Sequence, residues 1–174
     1  MRVDLVHGFH LSEIRFEDRP EIVRHLQDKG IYDMTVTIPY PYTEADADAW
    51  LAGAIGREPT TQFAIREPPA ILIGVVVLKD PPADNPRSSE LGYWLARPWW
   101  GRGIATAAAR AACGYGFQTL GLDRIVAGAF VTNPASRRVL EKVGFQFVEI
   151  LPARFTKDGR SVDDAWYELS RPPV

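Results

Sequence analysis

The spacing of apolar and polar residues predicts an N-terminal third built from one strand and two helices. Residues Leu11 to Phe16 alternate as a half-buried strand does, and from Pro20 apolar residues recur at helical spacing as far as Gly30. A proline- and tyrosine-rich loop follows, in which the prolines exclude helix. A second helix is then expected to begin at Thr43, whose hydroxyl suits a helix N-cap.

The middle of the chain predicts antiparallel strands. Two β-branched runs, 61–66 and 71–79, are separated by a short proline-containing turn and are expected to form a hairpin. The next run, 88–95, alternates so that Glu90 lies on the face opposite Tyr93. A third strand therefore carries a carboxylate on its second face.

The second half predicts a helix, a strand, a helix and a hairpin. These elements are a helix from 104 to about 120, a strand over 124–131, a helix that Asn133 caps and Gly144 ends, and a hairpin over 145–169 with its turn at Lys157-Asp158-Gly159. Antiparallel strands followed by a β-α-β-α unit favour a mixed α/β fold, with a mostly antiparallel central sheet and flanking helices.

Composition narrows the classes of protein that this chain can be. Its 174 residues suit one domain spanning 1–174, with residues 171–174 expected to form a loose tail. The hydrophobic fraction of 46% and charged fraction of 24% are those of a folded globular protein. A formal net charge of -2 provides no basic excess for a polyanion, so nucleic acid is not an expected ligand.

The cysteine, the histidines and the longest apolar run bear on the compartment of the protein and on membrane and metal binding. The single cysteine, Cys113, excludes an internal disulfide framework and favours a reducing, cytoplasmic location. The longest apolar run, 70–78, is far shorter than a membrane-spanning helix requires, so no membrane association is expected. The three histidines lack the spacing of metal ligands, and no metal site is expected.

The most informative loop is Gly101-Arg102-Gly103, which lies between a strand and a helix. The start of a helix offers unpaired amides and a positive dipole end, and glycines let a phosphate approach them. An NTP-binding P-loop is excluded, since Gly103 is not followed by lysine and a hydroxyl residue. A dinucleotide fingerprint is also excluded, because Thr106 stands where its third glycine belongs.

A second motif combines a helix cap with possible ligand contact. Asn133 and Pro134 open a helix in the manner of a cap and first turn. Capping explains Asn133 fully as a structural residue. A cap that follows a strand can also meet a ligand lying at the carboxyl edge of that strand.

Three stretches together resemble the GNAT acetyltransferase superfamily, specifically its RimJ/RimL-like branch. They are Leu91-Gly92-Tyr93-Trp94-Leu95, then Trp99-Trp100-Gly101-Arg102-Gly103-Ile104-Ala105-Thr106, and finally the thirteen residues from Asn133 to Phe145. The resemblance covers about residues 10 to 170. It implies a mixed sheet whose fourth and fifth strands splay apart, with acetyl-CoA in the V-shaped gap as cosubstrate.

The resemblance implies which residues hold acetyl-CoA. The pyrophosphate loop of the family falls on Trp100, Gly101, Arg102, Gly103, Ile104 and Ala105. Trp100 stands where many members carry Gln or Arg, and Ala107 stands where many carry Glu, so any role of that Glu is missing here. Asn133 matches the residue that contacts the pantetheine arm. The candidates for flanking the 3′-phosphate are Arg137, Arg138 and Lys142; the alternative is that they are solvated charges on an exposed helix.

The reaction that the resemblance implies is direct transfer of an acetyl group to an amine. It requires a group that accepts the amine proton and a group that protonates the departing thiolate. Ser136 matches a position implied in protonating the thiolate, although serine is also ordinary in the first turn of a helix. Glu90 is the candidate base, because it lies on the strand expected to border the acceptor; the alternative is a solvated surface charge.

The acceptor is the least determined feature of the sequence. The RimJ/RimL-like branch implies a protein N-terminal amine, which is already partly neutral at neutral pH because its pKa is near 8. A small-molecule amine, or a module that binds acetyl-CoA without turnover, remains open. The aromatic candidates for lining an acceptor pocket are Tyr40, Tyr42, Trp50, Trp94 and Trp99. The sequence is compatible with either a monomer or a homodimer.

Overall fold

The computed structural model describes residues 2–172 and has an eight-stranded sheet at its centre. The strands are β1 (Arg2–Asp4), β2 (His10–Glu13), β3 (Gln62–Glu67), β4 (Ile71–Leu78), β5 (Ser88–Leu95), β6 (Arg124–Phe130), β7 (Gln146–Lys157) and β8 (Arg160–Ser170). The helices are α1 (Arg19–Leu26), α2 (Lys29–Tyr32), α3 (Glu44–Ala54), α4 (Ile104–Gln118) and α5 (Pro134–Val143).

The strand order is β1-β2-β3-β4-β5-β6-β8-β7. Within residues 2–172, every neighbouring pair is antiparallel except β5 and β6, which are parallel. The expected mixed, mostly antiparallel α/β sheet with flanking helices is therefore confirmed.

The N-terminal region differs from the prediction in two respects. β1 was not predicted, because three residues are too few to show an alternating pattern; it pairs antiparallel with β2. The helix expected from Pro20 to Gly30 is divided into α1 and α2. The division lies at Asp28, which adopts an extended backbone and accepts a hydrogen bond from Gly30 N at 2.8 Å, as an N-cap does.

The sheet separates two apolar layers, and β5 contributes to both. Leu91 and Leu95 pack into the layer that contains α4 and α5, whereas Trp94 packs against the layer that contains α1 and α3. The alternation predicted for residues 88–95 is thus confirmed. Glu90 is four residues from Trp94 on the same strand, so both side chains lie on the α1/α3 face.

A gap opens between β5 and β6. The two strands pair through Ser88–Arg124, Ser89–Ile125 and Glu90–Val126, and no further pairs form within the described residues. The resemblance implied this divergence between the fourth and fifth strands; it lies between the fifth and sixth because β1 adds one to the count. Both strands end at this gap and lead into α4 and α5, so the two helix N-termini border it.

The turn of the C-terminal hairpin contacts the elements on the α1/α3 face. At its turn, Asp158 accepts a hydrogen bond from Tyr32 Oη at 2.6 Å. The neighbouring Lys157 Nζ donates to the Thr35 carbonyl at 2.6 Å. These contacts link the hairpin to α2 and to the loop that follows it.

The expected loose tail is held at its first residue. Arg171 N donates to the Asp123 carbonyl at 2.8 Å, and its guanidinium donates to the Phe117 carbonyl. Pro173 and Val174 lie outside the described residues.

Candidate active site

The loop before α4 presents a row of free backbone amides. Gly101 and Gly103 have φ of +73° and +76°, a conformation that glycine adopts without strain. The first backbone bond at the start of α4 runs from Ala107 N to Gly103 O, and within residues 2–172 the N–H groups of 101–106 have no partner. A Cβ built on either glycine would meet no atom within 4 Å. Open space above unpaired amides at a helix N-terminus is suited to a phosphate.

The side chains of this loop are occupied elsewhere. Trp100 Nε1 donates to the Leu95 carbonyl at 2.6 Å. The Arg102 guanidinium lies over the Phe9 ring, 5.4 Å from its centroid. Ile104 is fully buried beneath the loop. Anion binding at this loop can therefore depend only weakly on its side chains, so tryptophan in place of Gln or Arg at position 100 is compatible with it.

Asn133 lies between β6 and α5 and caps the helix. Its Oδ1 accepts a hydrogen bond from Ser136 N at 3.0 Å, which confirms the predicted cap. The Nδ2 group donates to no group of the described chain, and the residue lines the large cavity of the molecule. The side chain is thus arranged to cap with its oxygen while its amide hydrogens stay available to a ligand.

Substitution of Asn133 should separate these two uses of its side chain. Asn133→Ala is expected to lower the free energy of unfolding by about 0.5–2 kcal/mol, because it removes the cap, and to weaken acetyl-CoA binding as well. Asn133→Ser retains a capping oxygen but lacks the amide donor. Calorimetry that finds unchanged acetyl-CoA affinity in the serine variant would leave Asn133 with a structural role alone.

Ser136 forms a hydroxyl pair with a residue that was not predicted to belong to the site. Its Oγ lies 2.7 Å from Tyr93 Oη, which also donates to the Ser136 carbonyl at 3.3 Å. Burial raises the pKa of Tyr93 to about 12, so the phenol stays protonated at neutral pH. The alternating pattern assigned Tyr93 to the apolar face. A hydroxyl between the apolar residues Leu91 and Leu95 was the signal in the sequence that Tyr93 could belong to the site.

The three basic candidates on α5 do not behave alike. Arg138 and Lys142, one helical turn apart, are exposed and line the cavity, and neither forms an ion pair with any part of residues 2–172. Arg137 instead donates from Nε to Tyr167 Oη at 3.1 Å. The first two are therefore available to an anion.

One cavity of about 1280 Å³ extends through the gap between β5 and β6. On the α4/α5 face it includes Gly101, Gly103, Asn133 and Ser136. On the α1/α3 face it widens into an apolar chamber, lined among others by Ile31, Val36, Ile38, Tyr42, Trp50 and Trp94. Trp99 also lines the cavity, whereas Tyr40 is exposed and stacks on Tyr32, 5.3 Å between ring centroids.

Two ion pairs line the chamber near the gap. Glu90 Oε1 accepts from Lys79 Nζ at 2.6 Å. Asp164 Oδ2 accepts from Arg154 Nη1 at 2.8 Å. Burial raises the pKa of Asp164, which is 2% exposed. Glu90 was predicted to border the acceptor; Asp164 and Arg154 were not, since the terminal hairpin carries no motif.

The cysteine and two of the three histidines are buried side chains. Cys113 is buried in α4, and burial raises the pKa of its thiol to about 12. His25 Nε2 lies 3.1 Å from the Leu72 carbonyl, and burial lowers the pKa of His25 and of His10. In the part of the chain that the structure describes, no group of three His, Cys, Asp or Glu residues could hold a metal ion. Over the same residues, every helix is too short or too polar to span a membrane.

The Cys113 thiol should be protected from alkylation in the native protein. Because its folded-state pKa lies above the ordinary value, its contribution to stability is complete below about pH 9 and is lost as the pH rises toward 12. Iodoacetamide at about pH 8 is therefore expected to label Cys113 no faster than the protein unfolds. Rapid labelling of folded protein, followed by mass spectrometry, would instead indicate an accessible thiol.

Comparison with known proteins agrees with this geometry. The sequence profile of the acetyltransferase (GNAT) domain matches residues 9–146. YdaF of Bacillus subtilis (strain 168), provisionally named a ribosomal N-acetyltransferase, is 42% identical over 83 residues, which are 48% of this chain and 43% of that protein. The chain spans about half the length of the curated relatives that it matches.

Solved structures share the fold. RimJ of Mycobacterium smegmatis, in complex with CoA-disulfide, has a TM-score of 0.84 at 22% identity, over 98% of this chain and 86% of that one. Spermidine N-acetyltransferase from Vibrio cholerae, in complex with CoA and spermine, has a TM-score of 0.80 at 23% identity, over 93% and 95%. The predicted resemblance to the GNAT acetyltransferase superfamily is confirmed, and the chain belongs to the GNAT acetyltransferase family.

Proposed function

We propose that the protein transfers the acetyl group of acetyl-CoA directly to a primary amine, and that the acceptor is the N-terminal α-amine of a polypeptide. A cavity that crosses the sheet carries this proposal. It joins the free amides of 101–106 to an apolar chamber on the opposite face. A module that only held acetyl-CoA would have no need of the second chamber.

The chain's own residues would bind the phosphates, the pantetheine arm and the thioester of acetyl-CoA. The amides of 101–105 would hold the pyrophosphate, while Arg138 and Lys142 would bind the 3′-phosphate by charge. Asn133 Nδ2 would donate to a carbonyl of the pantetheine arm. The thioester would then lie in the gap beyond Glu90 and Val126, where β5 and β6 no longer pair.

Direct transfer requires two proton movements, one on each face of the sheet. The amine nitrogen attacks the thioester carbon, a C–N bond forms and the C–S bond breaks. Ser136, hydrogen-bonded to Tyr93, would protonate the departing thiolate. A carboxylate on the α1/α3 face would take the amine proton, and Glu90 is the candidate that the sequence provides.

The chamber favours an acceptor with an apolar body. Its acidic side chains near the gap are matched by bases, Lys79 with Glu90 and Arg154 with Asp164. A polyamine would need uncompensated carboxylates to replace the hydration of its several charges. An α-amine that follows an apolar or aromatic first side chain needs only one proton acceptor and an apolar pocket. The provisional name of YdaF, a ribosomal N-acetyltransferase, agrees with a polypeptide acceptor.

A panel of amines tests the proposal. Acetyl-CoA is incubated with N-terminal peptides that differ in their first residue, with arylalkylamines and with spermidine, and CoA release is followed with a thiol reagent. Acetylation of the peptide α-amine, confirmed by mass spectrometry, is the expected result, fastest for apolar first residues. Turnover confined to small amines would correct the acceptor class. Acetyl-CoA binding without release on any amine would indicate a binding module.

A further inference from the structure

A buried carboxylate lies beside the gap on the acceptor face. Asp164 is opposite Phe130 in the β6–β8 register, and its side chain leans over Gly128. A Cβ built on Gly128 would lie 2.3 Å from Asp164 Oδ2, so only glycine leaves room for the carboxylate there. Gly128 is two residues beyond Val126, the last residue of β6 that pairs with β5. The carboxylate is thus placed where the sheet begins to open.

The surroundings of Asp164 fix one of its oxygens and leave the other free. Oδ2 accepts from Arg154 Nη1, and the Arg154 guanidinium stacks on Trp166, 4.1 Å from the ring centroid. Within residues 2–172, no group donates a hydrogen bond to Oδ1, and Asp164 lines the cavity. The carboxylate is therefore oriented through one oxygen and can accept a hydrogen bond from a ligand at the other.

An irregularity in β7 places Arg154 beside this carboxylate. The register of β7 against β8 shifts between Leu151 and Phe155, and Ala153 within the shift has φ of +50°. Asp163 Oδ1 accepts from Ala153 N at 2.8 Å and supports this conformation. Bulges of this kind redirect a side chain, and here the redirected side chain is Arg154.

Charged groups from other segments act on Asp164. Burial and the Glu90 carboxylate on β5 raise its pKa, whereas Arg154 on β7 and Lys79, the residue after β4, lower it. Glu90 is also ion-paired, with Lys79 at 2.6 Å, but its side chain is 32% exposed, against 3% for that of Asp164. A partly hydrated carboxylate is a weaker proton acceptor for an amine in the gap than a buried one, whose pKa is raised by burial.

We propose that Asp164 Oδ1, rather than Glu90, accepts the proton that the amine loses as it attacks the thioester, with Arg154 as the positioning residue. This inference rests on the proposed acetyl transfer. The C–N bond forms, the C–S bond breaks, the ammonium proton passes to Oδ1, and the thiolate receives its proton from Ser136. Once the amide has left, Asp164 returns its proton to water and Ser136 regains one from water, so both residues are restored and the protons balance.

Replacement of the carboxylate tests the assignment. Asp164→Asn should reduce kcat by about 10²–10⁴-fold on the best acceptor, with acetyl-CoA affinity unchanged, and the residual rate should rise with pH as more amine is neutral. Glu90→Gln, the matched carboxylate-to-amide control on the same face, should cause a smaller loss. A folded Asp164→Asn protein with wild-type kcat, or a larger loss in Glu90→Gln, would overturn the inference.

Arg154→Gln provides a second test that does not require the asparagine variant to fold. Loss of the neighbouring cation should raise the pKa of Asp164, so the acidic limb of the kcat profile should move to higher pH. If the ion pair were purely structural, its loss would lower stability without moving that limb, and an unmoved limb would overturn the inference.

Failure of the wild-type protein to turn over any amine would overturn the proposed function and this inference together. Wild-type turnover with an unmoved limb in Arg154→Gln would overturn this inference alone.

Discussion

Replacing Gly103 by valine should lower the affinity for acetyl-CoA by at least about a hundredfold. The new Cβ would project from a residue with φ of +76° into the open space above the amides of 101–106. Phosphate oxygens could then no longer approach those amides. Loss of two charge-assisted hydrogen bonds at about 1.5 kcal/mol each corresponds to about 150-fold in Kd. Isothermal titration calorimetry measures this directly.

The matched control is Gly121→Val. Gly121 follows α4 at its far end, has φ of +69° and also has no atom within 4 Å of a built Cβ. Both valine variants therefore introduce similar backbone strain, which costs about 1–2 kcal/mol or more in the left-handed region. Only the variant at Gly103 should lose acetyl-CoA. Equal affinities in two folded variants would refute the phosphate site.

Removing either hydroxyl of the Ser136–Tyr93 pair should reduce kcat by about 10- to 100-fold. Ser136→Ala removes the proposed proton donor, and Tyr93→Phe removes the group that orients it at 2.7 Å. Because the two act as a unit, the double variant should be no slower than the slower single variant. Since the pKa of Tyr93 is about 12, the loss in Tyr93→Phe should be constant across the neutral pH range.

Tyr167→Phe is the control for removal of a phenol that contacts α5. Tyr167 is fully buried and bonds to Arg137 and Glu141 on that helix, away from the gap. It should lose stability but keep kcat. Additive losses in the Ser136 and Tyr93 variants, or equal kcat losses in Tyr93→Phe and Tyr167→Phe, would contradict a shared role of the pair in proton transfer.

The features that were predicted correctly are those encoded by neighbouring residues. The amides of the glycine loop and the Asn133 cap each depend on a few consecutive positions, so the sequence displays them directly. The interruption between α1 and α2 does not depend on consecutive residues alone. Asp28 accepts two hydrogen bonds at 2.7 Å from Arg97, 69 residues away, as well as capping Gly30. The pattern of residues 20–30 therefore gives no sign of this distant partner.

The acceptor side of the site could not be predicted for the same reason. Asp164 meets Gly128 only through the register of β6 and β8, and Arg154 reaches it only through the bulge at Ala153. Each of these residues is unremarkable in its own segment. Glu90 was found because it adjoins a recognisable motif; its partner Lys79 was not, since the pairing of β4 with β5 brings them together.

Apart from its first residue, the terminal hairpin lies beyond the region that the GNAT profile matches. The GNAT profile ends at Gln146, the first residue of β7, so Arg154, Phe155 and Asp164 all lie beyond the matched region although they line the acceptor chamber. The chamber residues on α2, α3 and β5 lie within the matched region, so the part of the chamber that falls outside it belongs to the hairpin. Under the proposed mechanism, exchange of residues 147–170 should alter the choice of amine while leaving the glycine loop intact, so this hairpin is the segment to graft when the acceptor is to be redesigned.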